Sequence, residues 1–313
     1  MKPSLPSKAA LIPADWRDSG SSARGRYSYA FLDEGAKREI RRKMLKAVAI
    51  PGCQVPFGSR EMPIARGWGT GGLQLTLALI GPDDVLKVID QGSDDSVNAV
   101  NIKKFVRQVT GVTVTTDTRA ATLIQTRHRI PEEPLRPHQL LIFQVPIPEP
   151  LRLVEPSERE TRRMHAEADY SRMWLYLYED IVKFNEITVA ARYPVLVNRR
   201  HLMDPSPIPR WDVAKLNQGE ALCLFCAGRE KRIYAVPPHT EVAPLSFEDF
   251  AFRVEEFGER RCGRCGSTGT YLDEVIDDAT GRRTYSCSDT AYCEKIRKRG
   301  GATRPGGSGE APS

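Results

Sequence analysis

Apolar and polar positions along this 313-residue chain recur in blocks that switch between the helical and the extended period. From Asp33, a fitting helix N-cap, Ile40, Met44 and Val48 share one stripe while Arg41, Arg42 and Lys43 turn away. This predicts an amphipathic helix to Ile50, stopped by Pro51-Gly52, because proline disfavours helix in the residue before it and glycine admits conformations closed to other residues. Leucines alternating over 73–80 predict a strand. A helix is expected over 96–109, with Val97, Val100, Phe105, Val106 and Val109 mostly inward and Gly111 as its stop signal. Strands are expected over 122–131 and 140–146, joined by a proline-rich connection, and again over 221–226 and 231–238.

Proline clusters at Pro146–Pro150 and Pro205–Pro209 mark off residues 146–220 as an inserted lobe, with one long helix expected from Ser157 to Phe184. Its aromatics Trp174, Tyr176 and Tyr178 read either as lobe core or as a docking surface. Residues 1–26 and 300–313 lack periodicity and read as disordered tails. The expected fold class is α+β: a mixed β-sheet core from 27–145 and 221–260, an inserted α/β lobe over 146–220, and a C-terminal cysteine-rich ribbon module over 261–299.

A hydrophobic content of 40% is enough to build a core. Without an apolar run of about 18 residues, no membrane span is expected; lacking a secretory h-region as well, the chain reads as cytoplasmic. The net charge of +6 is uneven, with basic clusters over Lys37–Lys46 and Lys295–Arg299 that read as solvated surface or as a meeting place for anions.

Seven cysteines, an odd number, point to metal ligation or redox work more than to a disulfide framework. Cys262 and Cys265 stand at C-x2-C spacing, Cys287 follows after twenty-one intervening residues and Cys293 after five more. Thiolates so arranged converge on one metal centre, which spacing leaves open as structural zinc or an iron–sulfur site; the wide closing pair also allows three ligands and one cysteine free for other work. Cys223 and Cys226 repeat the C-x2-C spacing inside an apolar run and read as buried strand residues. Gly67-Trp-Gly-Thr-Gly-Gly72 contains G-x-G-x-x-G, but with a strand expected after it this is no dinucleotide fingerprint, although its amides can approach a phosphate. Arg127-His128-Arg129 at a strand end is either an anion site or exposed charge.

Several stretches together resemble the PhnJ family of carbon–phosphorus lyase catalytic subunits. They are Tyr29-Ala-Phe-Leu-Asp-Glu34, Leu45-Lys-Ala-Val-Ala-Ile-Pro-Gly52, the glycine-rich 67–72, Asp84-Val-Leu-Lys-Val-Ile-Asp-Gln-Gly92, Ala121-Thr-Leu-Ile-Gln-Thr-Arg-His-Arg-Ile-Pro131, Ile142-Phe-Gln-Val-Pro-Ile-Pro-Glu-Pro-Leu-Arg152, Met203-Asp-Pro-Ser-Pro-Ile-Pro209, Ala227-Gly-Arg-Glu-Lys-Arg-Ile-Tyr-Ala-Val-Pro-Pro238 and the four module cysteines. The resemblance implies cleavage of alpha-D-ribose 1-methylphosphonate 5-phosphate to methane and a ribose cyclic phosphate. It implies a [4Fe-4S] cluster on Cys262, Cys265 and Cys287, S-adenosylmethionine as radical source, a glycyl radical at Gly52 and a thiyl at Cys293. Zinc held by these three and Cys293 can replace the cluster in aerobic preparations. Substrate contacts carried over are Arg127, His128 and Gln144 with the amides of Thr70, Gly71 and Gly72. The implied partners are the other subunits of a core complex and an ATP-binding-cassette-type subunit, without nucleic acid or membrane. Cys53, Cys223 and Cys226 fall outside the family pattern. The rival expectation is a zinc-ribbon binding or scaffold protein without radical chemistry.

Overall fold

The computed structural model describes residues 33–47, 55–56, 71–90, 93–146, 148–185, 193–205, 210–227, 232–246 and 256–301. Helix α1, Glu34–Ala47, opens where the sequence predicts, with the Asp33 carboxylate accepting from the Ala36 amide at 2.8 Å. Ile40 and Met44 are buried; Val48 lies outside the described residues. Strand β1, Val55–Pro56, precedes helix α2, Gly71–Leu79.

Helix α2 overturns the expected strand over 73–80. Its residues are buried on every side except for a half-buried Gln74, so no polar face imposes a helical period and the leucine alternation carries no information. Leu and Ala then follow their helix propensity. Its last carbonyls are met from α1, where Lys37 Nζ donates to Ile80 O at 2.6 Å and Arg41 Nη2 to Leu79 O at 2.9 Å. The glycine run therefore opens a helix after all. Yet β1 lies at the far edge of the sheet and pairs antiparallel with β9 (Arg232–Val236), so no βαβ dinucleotide unit results.

Strands β2 (Val85–Ile89), β3 (Thr113–Val114), β4 (Leu123–Arg127), β5 (Leu140–Gln144) and β8 (Leu222–Ala227) complete a seven-stranded mixed sheet ordered β1-β9-β8-β5-β4-β2-β3. The run β3, β2, β4, β5, β8 is parallel, and β9 returns antiparallel. Both faces are covered, as near-continuous apolar strands require. Leu86, Val88, Leu123, Leu140 and Ile142 meet α1, α2 and helix α3, Val97–Thr110, on one side. Ile124, Leu141, Phe143 and Phe225 face the other.

The Ser96 side chain caps α3 by accepting from the Ala99 amide, and Gly111 ends it at φ +74°, the stop the sequence predicts. Its phase differs from expectation. Ala99 and Val106 point inward, which leaves Val97 77% and Val100 47% exposed.

The expected helix from Ser157 to Phe184 is two, α4 (Glu158–Glu167) and α5 (Ser171–Phe184). Ala168 turns left-handed at φ +53°, the Asp169 amide closes onto Met164 O, and the Asp169 side chain takes the Ser171 amide, so the reversal needs neither glycine nor proline. Trp174 and Tyr176 are half-buried against the lobe's own cluster, and Tyr178 is exposed. A small sheet of β6 (Val195–Val197), β7 (His201–Met203) and β10 (Val242–Pro244), with the short helix α6 (Val213–Leu216), packs on the second face of the main sheet. The chain closes with the hairpin β11 (Leu272–Ile276) and β12 (Arg283–Cys287), then helix α7 (Thr290–Gly301), which runs two residues into the stretch read as a tail. Among the described residues no helix is long and apolar enough to cross a membrane.

Candidate metal centre and anion cradle

Parallel strands end together, and their carboxyl ends form the usual crevice for ligands in α/β sheets. Arg127 and Gln144 are register partners at the ends of β4 and β5. The first turn of α2 abuts them: a Cβ built on Gly72 would lie 3.0 Å from Gln144 Cβ and 3.1 Å from its Oε1. The amide-bearing end of a nine-residue helix is thus brought against Gln144, a setting that favours an anion. Replacing Gly72 by Ala is expected to displace Gln144 and to cost about 1–3 kcal/mol by overpacking, read as a lower unfolding midpoint together with a raised substrate KM.

Arg127 is gripped by Asp90, from just beyond β2, through Nε–Oδ1 at 2.5 Å and Nη2–Oδ2 at 3.1 Å. One hydrogen bond, from Nη2, and the close ion-pair contact of Nε hold the guanidinium against Asp90. His128 follows at φ +77°, left-handed and strained for a residue with a side chain. Burial first, then the Arg127 and Arg129 charges, hold its pKa below the usual histidine range, so it presents a neutral ring at pH 7.

The strained turn sends Arg129 away to the cysteine module, where its Nε donates to Ser288 Oγ at 3.0 Å and its Nη2 to Asp273 Oδ1 at 2.9 Å. There the sulfurs of Cys262, Cys265, Cys287 and Cys293 all lie within 4.8 Å of one another. Cys262–Cys293 Sγ are 3.6 Å apart and Cys265–Cys287 Sγ 3.5 Å. Around one tetrahedral zinc with Zn–S bonds of about 2.3 Å the sulfurs would sit about 3.8 Å apart, so the set fits a single ion as it stands. All-thiolate donors equally suit iron–sulfur chemistry. A cluster spreads its ligands further, and three cysteines suffice to hold one if Cys293 is released.

Local chemistry explains the arrangement. The 262–265 turn is closed by Gly266 N to Cys262 O and Cys262 N to Ser267 O, with Gly266 at φ +76°. Cys287 ends β12, and Cys293 lies in the first turn of α7, its amide bonded to Asp289 O. Burial works against ionising Cys262, but the amides of Cys265, Arg264 and Cys287 outweigh it and bring the thiol down to about 6. Burial, then the neighbouring cysteines, pushes Cys293 up to about 12.

A buried ionic knot joins module to sheet. Lys87 of β2, fully buried, points to the face opposite its neighbours Leu86 and Val88. Its Nζ lies 2.9 Å from Asp94 Oδ2 and 3.8 Å from Asp289 Oδ1 and also donates to Thr116 O. Asp289 caps α7 through the Tyr292 amide at 3.0 Å, and Thr290 donates to Asp94. Outside the knot, Lys295 pairs with Glu133 at 2.6 Å and the Tyr271 amide with Glu132 at 3.0 Å.

Asp212, beside the module, is 1% exposed, and burial raises its pKa to about 6 against the opposing pull of Lys215, 3.9 Å away. A carboxyl with a raised folded pKa penalises the fold once it ionises. That penalty is absent below about pH 4, grows between the unfolded and folded values, and reaches at most about 3 kcal/mol above pH 6. Asp212→Asn is therefore expected to stabilise the protein at pH 7.5 and to do nothing at pH 4, as read by denaturant unfolding at the two pH values.

Of the residues singled out from the sequence, the structure places Gly72 against Gln144 and Gln144 beside Arg127, with Gly71 and His128 adjoining them along the chain, and brings the four cysteines to one cluster. Gly52, Thr70 and Cys53 lie outside the described residues. Cys223 and Cys226 are buried in β8 with thiols raised by burial, as an inert core role requires. Sequence reasoning missed Asp90, Lys87, Asp94 and Asp289. Two of them, Lys87 and Asp90, stand inside the Asp84–Gly92 stretch, where charge flanked by apolar strand residues was the available signal.

Fold and site together define an α+β protein whose four-cysteine, metal-competent module is tied to the carboxyl ends of a parallel sheet, where Arg127 and Gln144 stand side by side. Within that class the chain belongs to the phosphonate metabolism protein PhnJ family, whose model matches residues 25–299. It is 60% identical over 269 residues to the alpha-D-ribose 1-methylphosphonate 5-phosphate C-P lyase of Escherichia coli (strain K12), covering 86% of this chain and 95% of that protein. It is 58% identical over 276 residues to the corresponding C-P lyase of Rhizobium meliloti (strain 1021), covering 88% and 93%.

Proposed function

We propose that this chain is the C–P bond-cleaving subunit for alpha-D-ribose 1-methylphosphonate 5-phosphate, working with further subunits and an ATP-binding-cassette-type partner. The observation that supports this best is the continuity of cradle and cysteine module through Arg127-His128-Arg129. The cradle's helix amides, Gln144 and the clamped Arg127 suit a substrate bearing two anionic phosphorus groups, with neutral His128 as a further hydrogen-bonding group. Cys262, Cys265 and Cys287 would hold the cluster. When bound, a [4Fe-4S] cluster supplies the electron that fragments S-adenosylmethionine to a carbon radical.

One-electron chemistry is required because heterolysis of an unactivated P–CH3 bond would expel a methyl carbanion. In the proposed sequence Gly52 gives up its α-hydrogen, and its radical takes the hydrogen atom from the Cys293 thiol. The thiyl sulfur bonds to phosphorus, the P–C bond breaks, and the departing methyl radical takes back the Gly52 α-hydrogen as methane. The ribose 2-hydroxyl then displaces the sulfur, giving 5-phospho-alpha-D-ribose 1,2-cyclic phosphate and regenerating the Cys293 thiol.

The close sulfur–sulfur approaches favour a second state, in which one zinc ion occupies all four thiolates and Cys293 is not free. Anaerobic turnover after iron–sulfur reconstitution, with the partner subunits present, decides between them. Methane and the cyclic phosphate support the lyase; a cluster-free zinc protein that releases no methane under those conditions makes the chain a scaffold.

A further inference from the structure

We infer that the groove between α3 and the edge strand β3 is a docking site for an extended, acidic segment of a partner protein. Three independent features meet there. The first is an unpaired sheet edge. β3 ends the sheet and, among the described residues, pairs only with β2. Leu86 and Val114 are register partners, and the Thr115 amide bonds to Leu86 O, so strand alternation turns the Val114 amide and carbonyl away from β2. An edge of this kind can accept another strand through main-chain hydrogen bonds.

The second feature is a stripe along α3. Val97, Val100, Lys104 and Arg107 succeed one another at spacings of three, four and three, and so lie on one face of the helix. All four are exposed, Val97 by 77%. Apolar residues occupy one end of the stripe and cations the other, which suits a partner segment whose side chains pass from apolar to acidic.

The third is shape. A depression of about 830 Å³ runs between helix and edge, lined by Val100, Lys103, Lys104, Arg107, Gln108 and Val114 among others. Lys103 is partly committed, donating to Asp94 O at 2.5 Å, which leaves Lys104 and Arg107 as the outward cations. Among the described residues no carboxylate lines this depression, so the charge of Lys104 and Arg107 is complementary to an acidic occupant. The surface lies on the flank of the sheet, at its β3 edge and α3 face. Its use does not depend on the reaction proposed for the cysteines.

The test replaces Gln108 by photoreactive benzoylphenylalanine in the full-length chain, produced in cells growing on methylphosphonate, and maps the adduct by mass spectrometry. An adduct to an Asp- or Glu-rich segment of a different polypeptide is expected. Its yield should fall about tenfold or more when Lys104→Glu and Arg107→Glu are combined, since like charges then face each other. In the isolated complex, hydrogen exchange at the Val114 amide should slow. The inference is overturned by an adduct to a second copy of this chain, to nucleic acid or to a segment without acidic residues, and equally by no adduct, by a yield indifferent to charge reversal, or by unchanged exchange at Val114.

Discussion

A Cys293→Ala chain, with the proposed cluster assigned to Cys262, Cys265 and Cys287, is expected to take up the cluster on reconstitution and to lose the proposed methane release by about 10³-fold or more, the scale on which removal of an essential nucleophile acts. The geometry makes this division of labour testable, because Cys262 and Cys265 belong to one turn and Cys287 to the end of β12, whereas Cys293 alone is carried by helix α7. Metal analysis and visible absorption read the first half of the prediction, gas chromatography the second. Loss of the cluster along with activity would instead make Cys293 a fourth ligand. The same variant should still bind zinc, more weakly, through the remaining three thiols.

Lys87→Met should give the largest loss of stability, about 3–5 kcal/mol, because it leaves Asp94 and Asp289 buried and facing one another without their cation. Guanidinium unfolding measures this directly. Faster amide exchange over 288–293, beyond that over β5, would show that the module loosens first. An unchanged midpoint would mean that the ion pairs are dispensable to the fold. Combining Lys87→Met with Asp94→Asn and Asp289→Asn should recover much of the loss, since a buried ion pair costs nearly as much desolvation as it returns and the amide oxygens can still accept from Thr290 and the Tyr292 amide.

These two cases also show where the sequence was informative. Strands β4, β5, β8 and β9 were readable because β-branched and aromatic runs bounded by turn residues admit few other uses. α1 was readable from its polar face, and the cysteine cluster from spacing. Helix α2 was not, because a segment buried all round has no polar phase. The α4–α5 break escaped because an alanine and an aspartate supplied the turn. Lys87, Asp94 and Asp289 escaped for a different reason. A charged residue read in isolation belongs on the surface, and only the meeting of β2 with the N-terminus of α7, some 200 residues apart in sequence, makes a buried cation tenable. The resemblance carried the cradle further than local reading did, to Gln144 and Gly72 but not to Asp90, whose grip on Arg127 appears only once β2 and β4 lie side by side.

The strained His128 turn has a thermodynamic consequence. It stands between two arginines anchored in opposite directions, Arg127 to Asp90 of the sheet and Arg129 to Ser288 and Asp273 of the module. A rearrangement of the module that displaced Arg129 would have to be absorbed at this single residue before reaching Arg127. If the two sites are coupled in this way, the factor by which occupancy of the cysteines changes affinity at the Arg127 end must equal the factor for the reverse effect.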